Sequence, residues 1–280
     1  MHTTKQERKF IETVWRYYTT HGRHDLPWRN LPKSLSEADQ TYYILVSEVM
    51  LQQTQVPRVL IKYAEFLAAF PNVRALARAP LGDVLRVWQG LGYNRRAKLL
   101  HVCAQEIVQK YNGNFPRTYT ALRELPGIGP YTAAAIMAFA YNEAVPLIET
   151  NVRTVYLHHF FAGEADVHDK DLLPLIEQTQ EKENARTWYW ALMDYGAYLK
   201  QTLGNQNTRS RHYTKQSTFK GSDRQLRGML LRRLSQSSQS EASLVVTCTP
   251  FTSVQITTQL HNLMREGLVE RTRRTYRLPR

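Results

Sequence analysis

Leu125 to Thr132 reads LPGIGPYT, with glycines two apart ahead of an apolar run. Gly127 and Gly129 allow a tight turn and a close approach of the backbone to a ligand. The turn opens a helix expected over Tyr131 to Ala140, whose first amides have no partner inside the helix. Such a helix start holds anions, and a DNA phosphate gripped there is fixed without any readout of base sequence. A plain interhelical turn is the other reading of the same eight residues.

Outward from this turn, helical periodicity dominates the first 200 residues. Helices are expected over Lys5 to Tyr18, Thr41 to Phe70 with a break at Pro57, Leu81 to Trp88, Asn94 to Tyr111, Thr118 to Leu122, Asn151 to Phe161, Lys170 to Gln180 and Ala185 to Leu203. From Gly204 to Ser222 the period fades into Ser, Thr, Asn and basic residues, which suits a linker or an extended strap. Asp223 to Leu234 then carries Leu226, Met229, Leu230 and Leu234. A polar loop follows over Ser235 to Ser240, and Ser253 is a candidate cap for a helix with Ile256, Leu260, Leu263 and Met264 on one face, ending at Gly267. Leu268 to Leu278 reads as two short strands turning near Arg273. Helices followed by a basic hairpin fit a winged helix-turn-helix module. A solvated charged tail is the alternative.

The chain has 280 residues, 42% of them apolar and 22% charged, which excludes wholesale disorder and fibrous classes. Its net charge of +13 points to a polyanionic partner. The excess sits in the tail, where residues 201–280 hold 14 Lys and Arg against 4 Asp and Glu. Two cysteines, Cys103 and Cys248, are read as reduced thiols. His101, His158, His159 and His168 lack metal-ligand spacing. A polar N-terminus and the lack of a long apolar run lead to the expectation of a soluble cytoplasmic protein with no membrane partner.

Two carboxylates carry the chemistry. In SEVMLQQTQV, residues 47–56, Glu48, Gln52 and Gln55 share one helix face, with Val46, Val49, Met50 and Val56 around the rest. A carboxyl in that apolar setting is expected to have a raised pKa, useful for general acid work. In PLIETNVRTV, residues 146–155, Glu149 precedes a helix expected near Asn151 and should stay ionised against its N-terminus. One raised and one depressed acid divide the work of glycoside cleavage, the first protonating the leaving group and the second stabilising the cation. Read singly, Glu48 is a rim-of-core residue and Glu149 a helix cap.

These blocks do not stand alone. WRNLP near residue 28, SEVMLQQTQV, WQGLGYNRRAKLLH at 88–101, LPGIGPYTAAAI at 125–136, PLIETNVRTV and ALMDYGA at 191–197 follow one another in an order that resembles the helix-hairpin-helix DNA glycosylases, and most of all the MutY type of adenine glycosylase. The resemblance implies an all-α, bilobed fold with DNA across the cleft and a target base flipped into a pocket. It implies that Gly127 and Gly129 grip phosphate and that Glu48 protonates the departing purine. It implies that Glu149 stands where the family has Asp and steadies the oxocarbenium-like sugar. It further implies that Gln52 probes the gap in the duplex, with Gln53 beside it, that Tyr93 contacts DNA from the intercalating loop, and that Arg153 lies near the backbone.

Four departures qualify the resemblance. Glu149 places its carboxyl one methylene, about 1.5 Å, further from the backbone than Asp would. Lys200 stands where the family's first cluster cysteine lies, so no iron–sulfur cluster is expected. The strap is expected to take over with Arg209, Arg211, Lys215 and Lys220. Tyr131 replaces the Lys of the bifunctional lyases, so no Schiff base is expected, and the same Tyr resembles the thymine mismatch glycosylases. Residues 223–280 are too few for the family's 8-oxoguanine-reading domain, and a basic module with Arg271, Arg273 and Arg274 stands there instead.

The expected organisation is a glycosylase domain over 1–205, a basic strap over 206–222 and a winged-helix module over 223–280. The expected function is monofunctional removal of adenine opposite guanine or 8-oxoguanine, by a monomer acting on double-stranded DNA at a prokaryotic nucleoid. No cofactor is expected, a monovalent cation at the hairpin being the one candidate. The alternatives are a thymine or uracil glycosylase acting opposite guanine, and an inactive paralogue that binds damaged DNA.

Overall fold

The computed structural model describes residues 4–216 and 218–280. The chain divides into two compact units. One gathers the chain up to Ile44 with Pro116–Glu124 and Ile128–Lys215, and the other gathers Leu45–Phe115, Leu125–Gly127 and Gln216–Arg280.

The first unit is built on α1 (Lys5–His21), α7 (Tyr119–Arg123), α8 (Pro130–Phe139), α9 (Thr150–Phe160), α10 (Asp169–Thr179) and α11 (Ala185–Leu203). Thr4 and Glu7 close a reciprocal cap on α1, which then buries Phe10, Val14 and Tyr18 at four-residue spacing. Phe10 meets Tyr156 of α9 and Trp188 of α11 with ring centres 5.2 and 6.0 Å apart. Truncating either fully buried ring to alanine would cost about 3–5 kcal/mol. α8 is apolar all round and buried from Thr132 to Phe139, as a central helix must be.

Asp194 of α11 locks the entry to this unit. Its carboxylate is 1% exposed and takes a two-pronged bond from Arg29 at 2.8 and 2.9 Å, with Arg23 bonded through backbone and side chain at 2.7 Å each.

The second unit holds the C-terminal half of α2 (Glu37–Leu51), then α3 (Val56–Ala69), α4 (Val73–Arg78), α5 (Leu81–Val87) and α6 (Arg95–Tyr111). It continues with α12 (Asp223–Gln236), α13 (Glu241–Thr247) and α14 (Ser253–Arg265). Three short strands, β1 (Gln239–Ser240), β2 (Glu270–Thr272) and β3 (Thr275–Arg277), form an antiparallel sheet in the order β1-β3-β2. Phe66 and Trp88 meet edge to face at 5.7 Å in its core. The tail is tied back to α5. Gly82 donates its backbone N–H to Pro279 O at 2.9 Å, and a Cβ at position 82 would come within 2.4 Å of that oxygen, so only glycine fits.

Several expectations need correction. The helix expected from Thr41 to Phe70 is two helices, parted over residues 52–55 rather than at Pro57, so Gln52 and Gln55 lie off the helix face expected to carry them with Glu48. Pro57 sits in the first turn of α3, where its missing N–H costs nothing. Thr252, not Ser253, caps α14, because Gln255 three residues on closes the reciprocal bond. The loop expected at Ser235 to Ser240 is shorter, since α12 runs to Gln236 and Gln239–Ser240 pairs with Tyr276 and Thr275. Reasoning from periodicity missed α4 and α13. They are six and seven residues long, too short to show a period, and only their caps Asn72 and Ser240 announce them. The turn at Arg273, with φ of 55°, stands where it was expected.

Candidate functional site

Glu48 lies on α2 with 5% of its surface exposed, among Val46, Val49 and Met50, which are buried as well. α2 ends three residues later, and its last carbonyls are collected by one side chain from α6. The Arg96 guanidinium donates to Val49 O at 2.7 Å, Met50 O at 3.0 Å and Gln52 O at 2.5 Å. Its other nitrogen donates to Leu91 O at 3.2 Å, Gly92 O at 3.1 Å and Thr54 Oγ1 at 3.2 Å. A helix leaves its final carbonyls without partners, and a cation there satisfies them and the dipole together. Burial pulls the Arg96 pKa down to about 10, and it remains a cation at neutral pH. Arg96 therefore fixes the end of the helix bearing Glu48 to the loop bearing Tyr93. Sequence reasoning missed it, because one Arg in a basic helix start carries no distinguishing signal.

Gln52, Gln53 and Tyr93, separately singled out in the sequence, come together. They line a cavity of about 400 Å³ with Arg95, Arg96, Arg224 and Arg227. Gln53 and Tyr93 both have left-handed backbones, φ 55° and 46°. Glu266 engages Arg227 in a two-pronged ion pair at 2.9 and 2.6 Å.

In the turn that opens α8, Gly127 has φ of 79°, and a Cβ there would strike Leu99 Cβ at 2.7 Å. Gly129 is the N-cap of α8 and meets open space where a side chain would be. Tyr131 follows, half-buried against the core of the first unit.

Glu149 caps α9. Its Oε1 accepts the N–H groups of Asn151 and Val152 at 2.7 and 2.8 Å, and its Oε2 accepts from the Asn151 side chain at 3.2 Å. The expectation that the helix start depresses its pKa is corrected. Burial pushes its pKa above the usual carboxylate range, and the two backbone donors, Arg153 and the Asn151 amide offset this only partly.

The basic residues sort by what they touch. Arg153 is paired to Asp169 at 2.7 and 2.8 Å, and Arg209 donates to Phe161 O and Leu157 O at 2.7 and 2.9 Å at the end of α9. Both are engaged inside the first unit, because a helix terminus and a carboxylate stand within reach. Arg211 makes a looser, exposed pair with Asp166 at 3.4 Å. Lys215, Lys220, Arg271, Arg273 and Arg274 are exposed.

A family model described as HhH-GPD superfamily base excision DNA repair protein matches residues 46–178. An adenine DNA glycosylase of Mycolicibacterium smegmatis is 36% identical over 272 residues, covering 90% of this chain and 90% of that protein. The chain belongs to the HhH-GPD superfamily. An adenine DNA glycosylase of Buchnera aphidicola subsp. Baizongia pistaciae is 35% identical over 191 residues, and the match spans 68% of this chain but only 52% of that relative. The structure of a thermostable thymine-DNA glycosylase is similar with a TM-score of 0.60 at 26% identity, covering 69% of this chain and 87% of that one. The HhH-GPD match takes in Glu48, Gln52, Gln53, Tyr93, the Gly127 turn, Tyr131 and Glu149, and it ends before Gln216 and Arg224.

The four-cysteine cluster that the resemblance brings with it does not fit this chain. A cluster is held by thiolates, and the two cysteines are both buried, with the Cys103 thiol pushed up to about 12 by burial. Lys200 stands on α11 where the first ligand is expected. Among the described residues no group of three or more His, Cys, Asp and Glu is placed to hold a metal ion. No helix among them is long and apolar enough to cross a membrane.

Proposed function

We propose that this HhH-GPD protein is a monofunctional DNA glycosylase that removes adenine mispaired with guanine or 8-oxoguanine. The observation that carries the reading is the buried Glu48 on an apolar helix inside the matched segment, together with 36% identity across nine-tenths of a relative named adenine DNA glycosylase.

Glu48 donates a proton to the flipped adenine, and the electron pair of the N-glycosidic bond leaves with the base. The Glu149 carboxylate stabilises the positive charge that develops on the sugar. Water adds to C1′ and gives up a proton that returns Glu48 to its acid form, leaving an abasic site. Tyr131 presents a phenol rather than an amine, so no Schiff base forms and the strand stays intact. The reading uses no iron–sulfur cluster, and it has a monomer working on double-stranded DNA in the cytoplasm. A net charge of +13 supports a DNA partner.

One observation favours a second reading. Tyr131, together with the likeness to a thymine-DNA glycosylase structure, supports thymine or uracil opposite guanine as substrate. Single-turnover assays on duplexes carrying A opposite 8-oxoguanine, A opposite G, T opposite G and U opposite G decide between them, with and without hot alkali. Breaks on the adenine duplexes only after alkali are expected. Breaks on the T or U duplexes alone would establish the second reading, and binding without any breaks would mean a damage-binding protein. Glu48→Gln should abolish base release while leaving duplex binding intact, and equal loss of both would remove Glu48 from the chemistry.

A further inference from the structure

The Tyr93 side chain is held from outside the matched family segment. Its hydroxyl accepts a hydrogen bond from Arg224 Nη1 of α12 at 2.6 Å, and another from the side-chain amide of Gln216. The same Gln216 amide donates to Gln53 Oε1 at 3.3 Å, so one side chain bridges the two left-handed residues of the cavity. The Arg224 guanidinium also lies 5.6 Å from the Tyr93 ring centre and 5.9 Å from that of Phe219, while Arg96 lies 5.5 Å from the Tyr93 ring. At the backbone end, Gly92 O accepts from Trp88 Nε1 at 3.1 Å and from Arg96 at 3.1 Å. The ring is thus fixed at both its backbone and its hydroxyl.

We infer that Arg224 and Gln216 are positioning residues that hold Tyr93 rigid, and that through Tyr93 they set how strongly the protein discriminates a mismatched duplex from a matched one. This deepens the proposed function and rests on it for the placing of Tyr93 at DNA. The physical reason is stiffness. Driving a side chain into a base stack costs a few kcal/mol at an intact pair and less at a mismatch. A ring that can rotate away is spared that cost at either pair and loses the difference. A ring locked by two hydrogen bonds and two guanidinium contacts keeps it, and its ordering is complete before DNA arrives.

The test compares dissociation constants, at one salt concentration, for a labelled duplex with A opposite 8-oxoguanine and for the same duplex with A opposite T. Single-turnover base release is measured on the first. In Arg224→Met the preference for the mismatched duplex should fall about tenfold, the size of one charged hydrogen bond, chiefly because affinity for the matched duplex rises once an intact stack no longer meets a fixed ring. Arg224→Lys should restore part of the preference. Tyr93→Phe should lower it similarly, and Tyr93→Phe with Arg224→Met should lower it by clearly less than the sum of the two single losses, since both remove the same bond to the hydroxyl and only the guanidinium contact with the ring is left to lose. Gln216→Ala, on an exposed segment, gives the same reading where α12 is left untouched. Equal loss of affinity for both duplexes in Arg224→Met would make it an ordinary backbone contact and overturn the inference. So would additive losses in the double variant, or a wild-type protein with no preference to lose. If the wild type prefers the mismatch yet releases no base, the proposed function fails while the binding ratios still judge the clamp.

Discussion

One carboxylate oxygen of Glu149 accepts the backbone N–H of Asn151 at 2.7 Å, and in doing so the side chain that is one methylene longer than Asp closes the start of α9. The same oxygen accepts from Val152, so the extra length is absorbed by folding back onto two amides.

Because Asp caps helices as well as Glu149 does here, Glu149→Asp should retain measurable base release and near-native stability. Glu149→Ala should lose base release and about 1 kcal/mol from the lost cap. Single-turnover assays and thermal melts of both variants check this. An active alanine variant would remove Glu149 from the chemistry and leave it a cap alone.

Asp194 makes an acid-side prediction. Burial raises its pKa, but the bonds and charges of Arg29 and Arg23 outweigh that and hold it below its ordinary value of 3.8. Its folded pKa is depressed, so its stabilisation is complete above that ordinary value and is lost as pH falls through the folded one. Asp194→Asn, which strands the buried Arg29, should cost about 3 kcal/mol at neutral pH. Denaturant midpoints of both proteins should converge below the ordinary carboxylate range, and a gap that stays constant with pH would refute the ion-pair account.

His159 acts in a higher window. Burial, with the neighbouring His158, pulls its pKa from 6.5 to about 4, while its ring meets Phe10 edge to face with centres 5.2 Å apart and its Nε2 lies 3.1 Å from Tyr195 Oη. The unfolded chain takes up this proton before the folded one, so stability should fall as pH drops from 6.5 towards 4. His159→Phe keeps an aromatic ring there and should flatten that part of the melting-temperature profile. An unchanged slope in the variant would assign the effect to other groups.

The tail should be tested by substitution rather than deletion, because Pro279 O accepts from Gly82 and removing the tail opens the core of its unit. Replacing Arg271, Arg273 and Arg274 with Ser should weaken DNA binding at every sequence. It should also flatten the dependence of log affinity on log salt by roughly 0.9 for each phosphate that is no longer neutralised. A salt slope equal to wild type would take these three residues off the DNA.

Much of this protein was legible locally. The spacing of Phe10, Val14 and Tyr18, the run that became α11, the glycines of LPGIGPYT and the hairpin at Arg273 each follow from interactions within a few residues, where period, cap and turn chemistry act. The two acids were legible as residue types in an apolar helix and before a helix start. The direction in which the Glu149 pKa moves was not, because burial is set by everything packed around it and here outweighs the helix start.

Which residues from far along the chain meet is set by packing. Arg96 on the end of α2, Asp194 between Arg23 and Arg29, Pro279 against Gly82, and Arg224 with Gln216 on Tyr93 join residues from 44 to 197 positions apart, apart from Gln216 and Arg224 themselves. A guanidinium or an amide shows no periodicity that reveals its acceptor. Its partner is chosen by which carbonyls, carboxylates and hydroxyls the packed core leaves within about 3 Å of it. For the same reason residues 216–280, separable by composition, became part of one compact unit with residues 45–115: composition marks where a segment changes character, and packing decides what it is packed against.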